Sequence, residues 1–209
     1  MSVGRPRQVH WNGDVVSTGI FKTPVEGRVW VGATNITGDD QADRTVHGGH
    51  WKAVYAYPFE HYAAWQGDLG INHLPFASFG ENLTTEGLLE SHVGVGDRLR
   101  IGGAVFMVTQ PRLPCYKLGI RFDRADMVAR FASVDRSGFY LSVEEEGEIG
   151  AGDAVEVVER DTRGLTIAEL YRLRLGGGPP DRLATAASHP ALPGGLREHF
   201  RRVARDGPA

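Results

Sequence analysis

The 209-residue chain has a single cysteine, Cys115. One sulfur excludes an internal disulfide and any Cys-x-x-Cys metal or redox pair, and it fits a reducing compartment. No apolar run approaches the roughly 18 residues of a membrane span. Residues 1–11 carry charges where a secretory signal would need an apolar stretch, so the expected location is the cytoplasm. The formal charge of −3 gives no global positive field, which argues against a nucleic-acid partner. Any anion must therefore be held by a local cluster. Gly-x-x-x-x-Gly-Lys, a strand-linked Gly-x-Gly-x-x-Gly and Gly-x-Ser-x-Gly are all missing, as are haem and iron–sulfur motifs.

Glycine is plentiful, at 28 residues, and is spread along the chain. It cuts the apolar stretches into short pieces, the pattern of many strands joined by turns. Gly19–Val25, Arg28–Val31 and Ala53–Tyr57 read as strands, with Pro58 in the first turn of a helix over Phe59–Trp65. An internal echo is the clearest architectural sign. Val93-Gly-Val-Gly-Asp-Arg-Leu-Arg-Ile101 matches Ile149-Gly-Ala-Gly-Asp-Ala-Val-Glu-Val157, each a tight turn followed by an alternating strand. In the first copy Leu99 and Ile101 should face inward and Arg98 and Arg100 outward. Gly102-Gly103 predicts a two-residue hairpin turn into Ala104–Thr109. Asp123–Phe131 reads as an inserted helix with Asp123 as N-cap. The expected fold is mainly β, a β-barrel over residues 1–162 with a few inserted helices. Residues 163–209 form a small C-terminal three-helix tail, opened by the capping box Thr166-Ile-Ala-Glu169. The tail is too small for its own core and should pack on the barrel or on a second subunit.

Three segments have the residue types for chemistry. In Gln110-Pro-Arg-Leu-Pro-Cys-Tyr-Lys-Leu118 two prolines fix the backbone before the sulfur, with Arg112 and Lys117 beside it to favour a negative charge. A lone cysteine can equally be a small buried hydrophobe. Gly38–Tyr55 gathers Arg44, His47 and Lys52 around Gly48-Gly49, where bare backbone can approach an anion; an ordinary charged loop is the plainer reading. Lys22-Thr23 lies in an otherwise apolar stretch, where a lysine either serves a ligand or snorkels to the surface. In Phe79-Gly-Glu-Asn-Leu83 the amide of Asn82 could hold a polar heterocycle or a local turn. Asp43, His47, His50 and Cys115 could together make a hydrolytic zinc site.

Taken together, Gly38-Asp39-x-Gln41-Ala42-Asp43 through His47-Gly48-Gly49, Lys52-Ala53-Val54, Phe79–Leu83 and Gln110–Leu118 resemble MOSC-domain proteins of the YiiM-like branch. Thr18–Val25 and the three-helix tail fit as well, while His50-Trp51 departs from a proline-containing pair and is given no role. The resemblance implies a β-barrel that holds molybdenum cofactor, a pterin dithiolene with a phosphate. Cys115 would ligate molybdenum and Arg112 would stand at the metal mouth as a second catalytic residue. Lys22, Thr23, Arg44, His47, Lys52 and Asn82 would bind the pterin and its phosphate. The implied reaction reduces N-hydroxylated compounds such as hydroxylaminopurines, with electrons from an external flavoprotein and a homodimer as the plausible assembly. The alternative is a sulfur carrier with a persulfide on Cys115.

Overall fold

In the first echo strand, β9 (Arg98–Ile101), Leu99 and Ile101 are buried and Arg100 faces solvent, as the alternation requires. The Gly102-Gly103 turn returns the chain into β10 (Ala104–Pro111), and Ala104 pairs with Ile101 across it. β10 is buried on both faces and forms the centre of the architecture. The computed structural model describes residues 1–42 and 48–207. Within them β10 also pairs with β11 (Phe139–Glu145), which pairs with β7 (Val54–Pro58); β7 runs parallel to β8 (Leu83–Thr85). The second echo strand, β13 (Val155–Glu159), lies antiparallel to the first, giving the order β13-β9-β10-β11-β7-β8. This mixed sheet curls into a half-barrel. Smaller sheets flank it: β12 (Gly147–Gly150) with β5 (Arg28–Gly32) and β6 (Asn35–Ile36), β1 (Ser2–Val3) with β4 (Thr23–Pro24), and the ribbon of β2 (Arg7–Trp11) with β3 (Asp14–Thr18).

The two echo turns are one structure used twice. Gly96 and Gly152 both stand at φ 86°, a left-handed conformation that favours glycine. The Asp97 carboxylate accepts the Gly94 amide at 2.9 Å and the Asp153 carboxylate accepts the Gly150 amide at 2.8 Å.

Other expectations need correction. Pro58 ends β7, opposite Thr85, and the following helix α1 runs Glu60–Leu69. Only Thr23 and Pro24 of the predicted strand Gly19–Val25 are strand. Gly19 runs so close to Asp40 that a Cβ would stand 2.7 Å from its carbonyl oxygen, so this stretch is irregular. Asp123 is not an N-cap. It adopts a left-handed conformation at φ 50° and closes the C-terminus of α2 (Tyr116–Phe122), before α3 (Met127–Ala132) begins.

The tail packs on the barrel. Thr166 caps α4 (Ile167–Gly176) by accepting the Glu169 amide, the first half of the expected box. Leu170 and Leu173 of α4, Leu183 of α5 (Pro180–Ser188) and Phe200 and Val203 of α6 (Gly194–Asp206) share one apolar cluster with Leu99, Phe106 and Phe139 of the sheet. A second cluster, built on Tyr57, Trp65, Phe79 and Phe131, lies under the loop that carries Cys115.

The tail has no tryptophan, all four being within residues 11–65. Phe200→Ala should cost about 3–5 kcal/mol. Tryptophan fluorescence and far-ultraviolet circular dichroism should report the same lowered midpoint. A fluorescence midpoint left at the wild-type value would show that the tail unfolds independently.

Candidate functional site

β10 carries the chain to Pro111, and four residues later Cys115 sits extended (φ −138°, ψ 164°) just before α2, its carbonyl accepting the Leu118 amide at 2.9 Å. The same strand fixes a second part of the site. Thr109 donates its hydroxyl to the Trp51 carbonyl at 2.8 Å, which holds the one-turn 3₁₀ helix His50–Lys52 and so presents Lys52 beside the sulfur. The half-buried Cys115 and Lys52 share a cleft with Thr18, Lys22, Tyr55, Asn82, Arg112, Lys117 and Tyr140. Counted out to its open mouth, solvent space included, the cleft holds about 560 Å³.

Four cations, Lys22, Lys52, Arg112 and Lys117, and the carboxylate of Asp40 line this cleft. Arg112 is only 7% exposed. It donates Nη1 to the Phe79 carbonyl and lies 4.9 Å from the centre of the Tyr55 ring. No carboxylate pairs with it among the described residues. Lys117, also buried, has no ion pair or hydrogen bond among the described residues. Burial lowers the pKa of Lys52, against the opposing pull of the Cys115 sulfur. Buried cations without carboxylates need an anion, because a guanidinium cannot neutralise itself by losing a proton.

Of the residues singled out in the sequence, Lys22, Lys52, Asn82, Arg112 and Cys115 meet in the cleft. Their roles there differ. Lys22 is locked to Asp39, whose buried carboxylate also accepts the Gly4 amide at 2.8 Å. Burial lowers the Lys22 pKa and Asp39 works against that shift. Asn82 accepts the Tyr55 amide on Oδ1 and donates Nδ2 to the Ser2 carbonyl, so its side chain ties β1 to β7. Thr23 is exposed in β4, opposite Val3, and is not part of the cleft lining. Arg44 and His47 lie outside the described residues. So does Asp43, which puts two of the four residues of the zinc alternative, Asp43 and His47, outside them; among the described residues no three His, Cys, Asp or Glu side chains could hold a metal ion.

The sequence held no sign that Tyr55, read only as part of a strand, or Tyr140 would wall the cleft, as both do. Nor did it reveal the task of Glu81. Fully buried, this residue accepts the amides of Ala77 and Phe79, both at 3.0 Å, and the hydroxyls of Tyr62 and Thr84. It thereby fixes a turn with Ala77 at φ 64° and Gly80 at φ 77°. A Cβ on Gly80 would stand 2.7 Å from Ile20 Cγ1, so glycine is required by space as well as by conformation.

Comparison with known proteins agrees with this geometry. Residues 43–156 match the MOSC domain. The uncharacterized protein YflK of Bacillus subtilis is 40% identical over 173 residues, covering 83% of this chain and 78% of that one. A protein of Gibberella moniliformis described as "Reductase" is 32% identical over 173 residues; the match covers 81% of this chain but 30% of that longer protein. The crystal structure of YiiM from Geobacillus stearothermophilus superposes with a TM-score of 0.81 at 34% identity, covering 96% of this chain and 95% of that one.

Lys22 and Arg112 should respond to removal of charge by different amounts. Lys22→Met strands the buried Asp39 carboxylate and should cost about 3–5 kcal/mol in denaturant unfolding. Arg112→Met leaves the Phe79 carbonyl unpaired but strands no buried charge, and should cost about 1–3 kcal/mol. Equal losses would show that Arg112 has a buried counter-charge after all.

Proposed function

The chain belongs to the MOSC-domain family, in its YiiM-like branch, and we propose on that premise that it binds molybdenum cofactor and reduces N-hydroxylated compounds. The observation that carries this reading is the cleft itself, where a thiol and a buried arginine without a carboxylate partner share one wall. Soft thiolate suits a metal already held by sulfur. The guanidinium and the buried Lys117 suit an anionic group, so the residues present fit the cofactor.

When bound, the cofactor supplies the two-electron redox chemistry that converts N–OH to N–H with two protons and release of water. The protein's own residues do the rest. Cys115 would hold the metal through Sγ. Arg112, fixed by the Phe79 carbonyl, would stabilise negative charge at the metal mouth without reorganising. Lys52 is poised to give a proton from Nζ to the departing oxygen, since burial makes its ammonium a stronger acid. Lys117 would face the anionic end of the cofactor. Arg44 and His47 remain proposed contacts on the strength of the family resemblance, and Lys22 would act through Asp39 by shaping the cleft.

Electrons must come from outside, and a flavoprotein reductase is the proposed donor. A homodimer in the cytoplasm is the proposed setting. No helix among the described residues is long and apolar enough to cross a membrane.

Protein from a host with intact cofactor synthesis should contain molybdenum and releasable oxidised pterin in matched amounts. Cys115→Ala should lose most of the molybdenum while keeping its fold by circular dichroism. Wild-type protein with neither component, but with cleavable sulfane sulfur on Cys115, would replace this reading with the sulfur-carrier one.

A further inference from the structure

Just outside the cleft stands a second group of cations that the proposed reaction does not use. Phe21, between the cleft residues Ile20 and Lys22, carries two guanidiniums over its ring: Arg7 at 3.6 Å from the centroid and Arg121 at 5.5 Å. Arg7 comes from β2, in a ribbon that pairs with no other sheet. Arg121 comes from α2, one turn beyond the cleft residue Lys117. Neither arginine has a carboxylate or hydrogen-bond partner among the described residues. The Nε of Arg121 is enclosed and lacks any hydrogen-bond partner there. Burial depresses the Arg121 pKa first; Arg7 adds to that and the carboxylate of Glu81 opposes it, but Glu81 is already committed to four donors in its turn.

Bringing two like charges onto one ring costs energy unless an anion joins them. Arginine pairs favour phosphate, whose oxygens accept from both planar forks. Lys117 and Arg121 lie on the same side of α2, so the positive strip leads from the cleft out to Arg7.

We propose that Arg7 and Arg121, held together on Phe21, form a phosphate subsite at the rim of the cleft, which takes the phosphate ester of a nucleotide. Two sources share that chemistry. One is an N-hydroxylated substrate presented as a nucleoside 5′-phosphate rather than a free base, which rests on the reductase reading. The other is a nucleotide appended to the cofactor.

The test uses protein purified from a host with intact cofactor synthesis, with molybdenum and pterin measured on each sample. Adenosine and adenosine 5′-monophosphate are titrated by calorimetry at low and high ionic strength into the wild type, Arg7→Gln and Arg121→Gln, with Arg5→Gln as a control. Arg7 is exposed, so its variant should fold even if that of Arg121 does not. The monophosphate should bind the wild type and Arg5→Gln at least about tenfold more tightly than adenosine. That preference should shrink at high salt and fall to within about twofold in the other two variants. This outcome, with no nucleotide released from the cofactor by acid, assigns the subsite to substrate. Acid release of a nucleotide in step with pterin from the wild type, reduced in the variants, assigns it to the cofactor instead. A wild type with neither preference nor released nucleotide overturns the subsite, as does a preference that survives in both variants. Should the cofactor be present in such a sample, the reductase reading stands alone. A preference lost in the variants of a protein without cofactor would keep the subsite and remove that reading.

Discussion

A guanidinium buried away from water keeps its charge, and much of the site follows from accommodating the one on Arg112. Its single backbone acceptor is the Phe79 carbonyl. That carbonyl is aimed by a turn with two left-handed residues, Ala77 and Gly80, which the Glu81 carboxylate holds by accepting amides and hydroxyls together. Phe79 also stacks on Tyr57 with ring centres 4.4 Å apart, in the aromatic cluster beneath the cysteine loop. The charge, the turn and the aromatic floor are therefore one device. The Glu81 carboxylate is spent on building the turn and that of Asp39 on neutralising Lys22, and neither pairs with Arg112.

The other half of the molecule solves a simpler problem. Three short helices with one apolar side each cannot stand alone, and they complete the outer layer of the curled sheet. Polar contacts reinforce this joint. The isolated bridge between Gly94 and Thr166 brings the first echo turn against the cap of α4. Asp97 of that turn receives Arg160 at 2.6 Å and the Asp161 amide at 3.0 Å, just before the tail begins. The chemistry thus rests on the aromatic cluster, while the tail rests on the aliphatic one.

How much could be read beforehand depended on whether the signal was local. The alternation of Arg98–Ile101, the Gly102-Gly103 turn and the Thr166 cap are decided by neighbours in sequence, and they appear as expected. Cys115 and Arg112 were recognisable because their proline-bounded loop sets its own geometry. Lys22 and Asn82 were found as members of the cleft, but their bonds to Asp39 and Ser2 were not foreseen, because these partners lie 17 and 80 residues away. Asp123 failed for the opposite reason: a good N-cap residue also tolerates the left-handed conformation, and here the closing of α2 took precedence. Tyr55, Tyr140 and the Arg7–Phe21–Arg121 cluster carry no sequence signature, since tertiary folding alone brings them together.

The paired echo turns show what such a loop does and does not require. Both use the same glycine angle and the same aspartate-to-amide bond, yet Asp97 is enclosed and bound to Arg160, whereas Asp153 is partly open and clasped by Arg28 with two contacts of 3.0 Å. One backbone shape has thus been kept in two solvents, with a different arginine recruited at each place. The four-residue unit behaves as a portable corner: it fixes the direction of the next strand by itself and leaves its surroundings free to diverge.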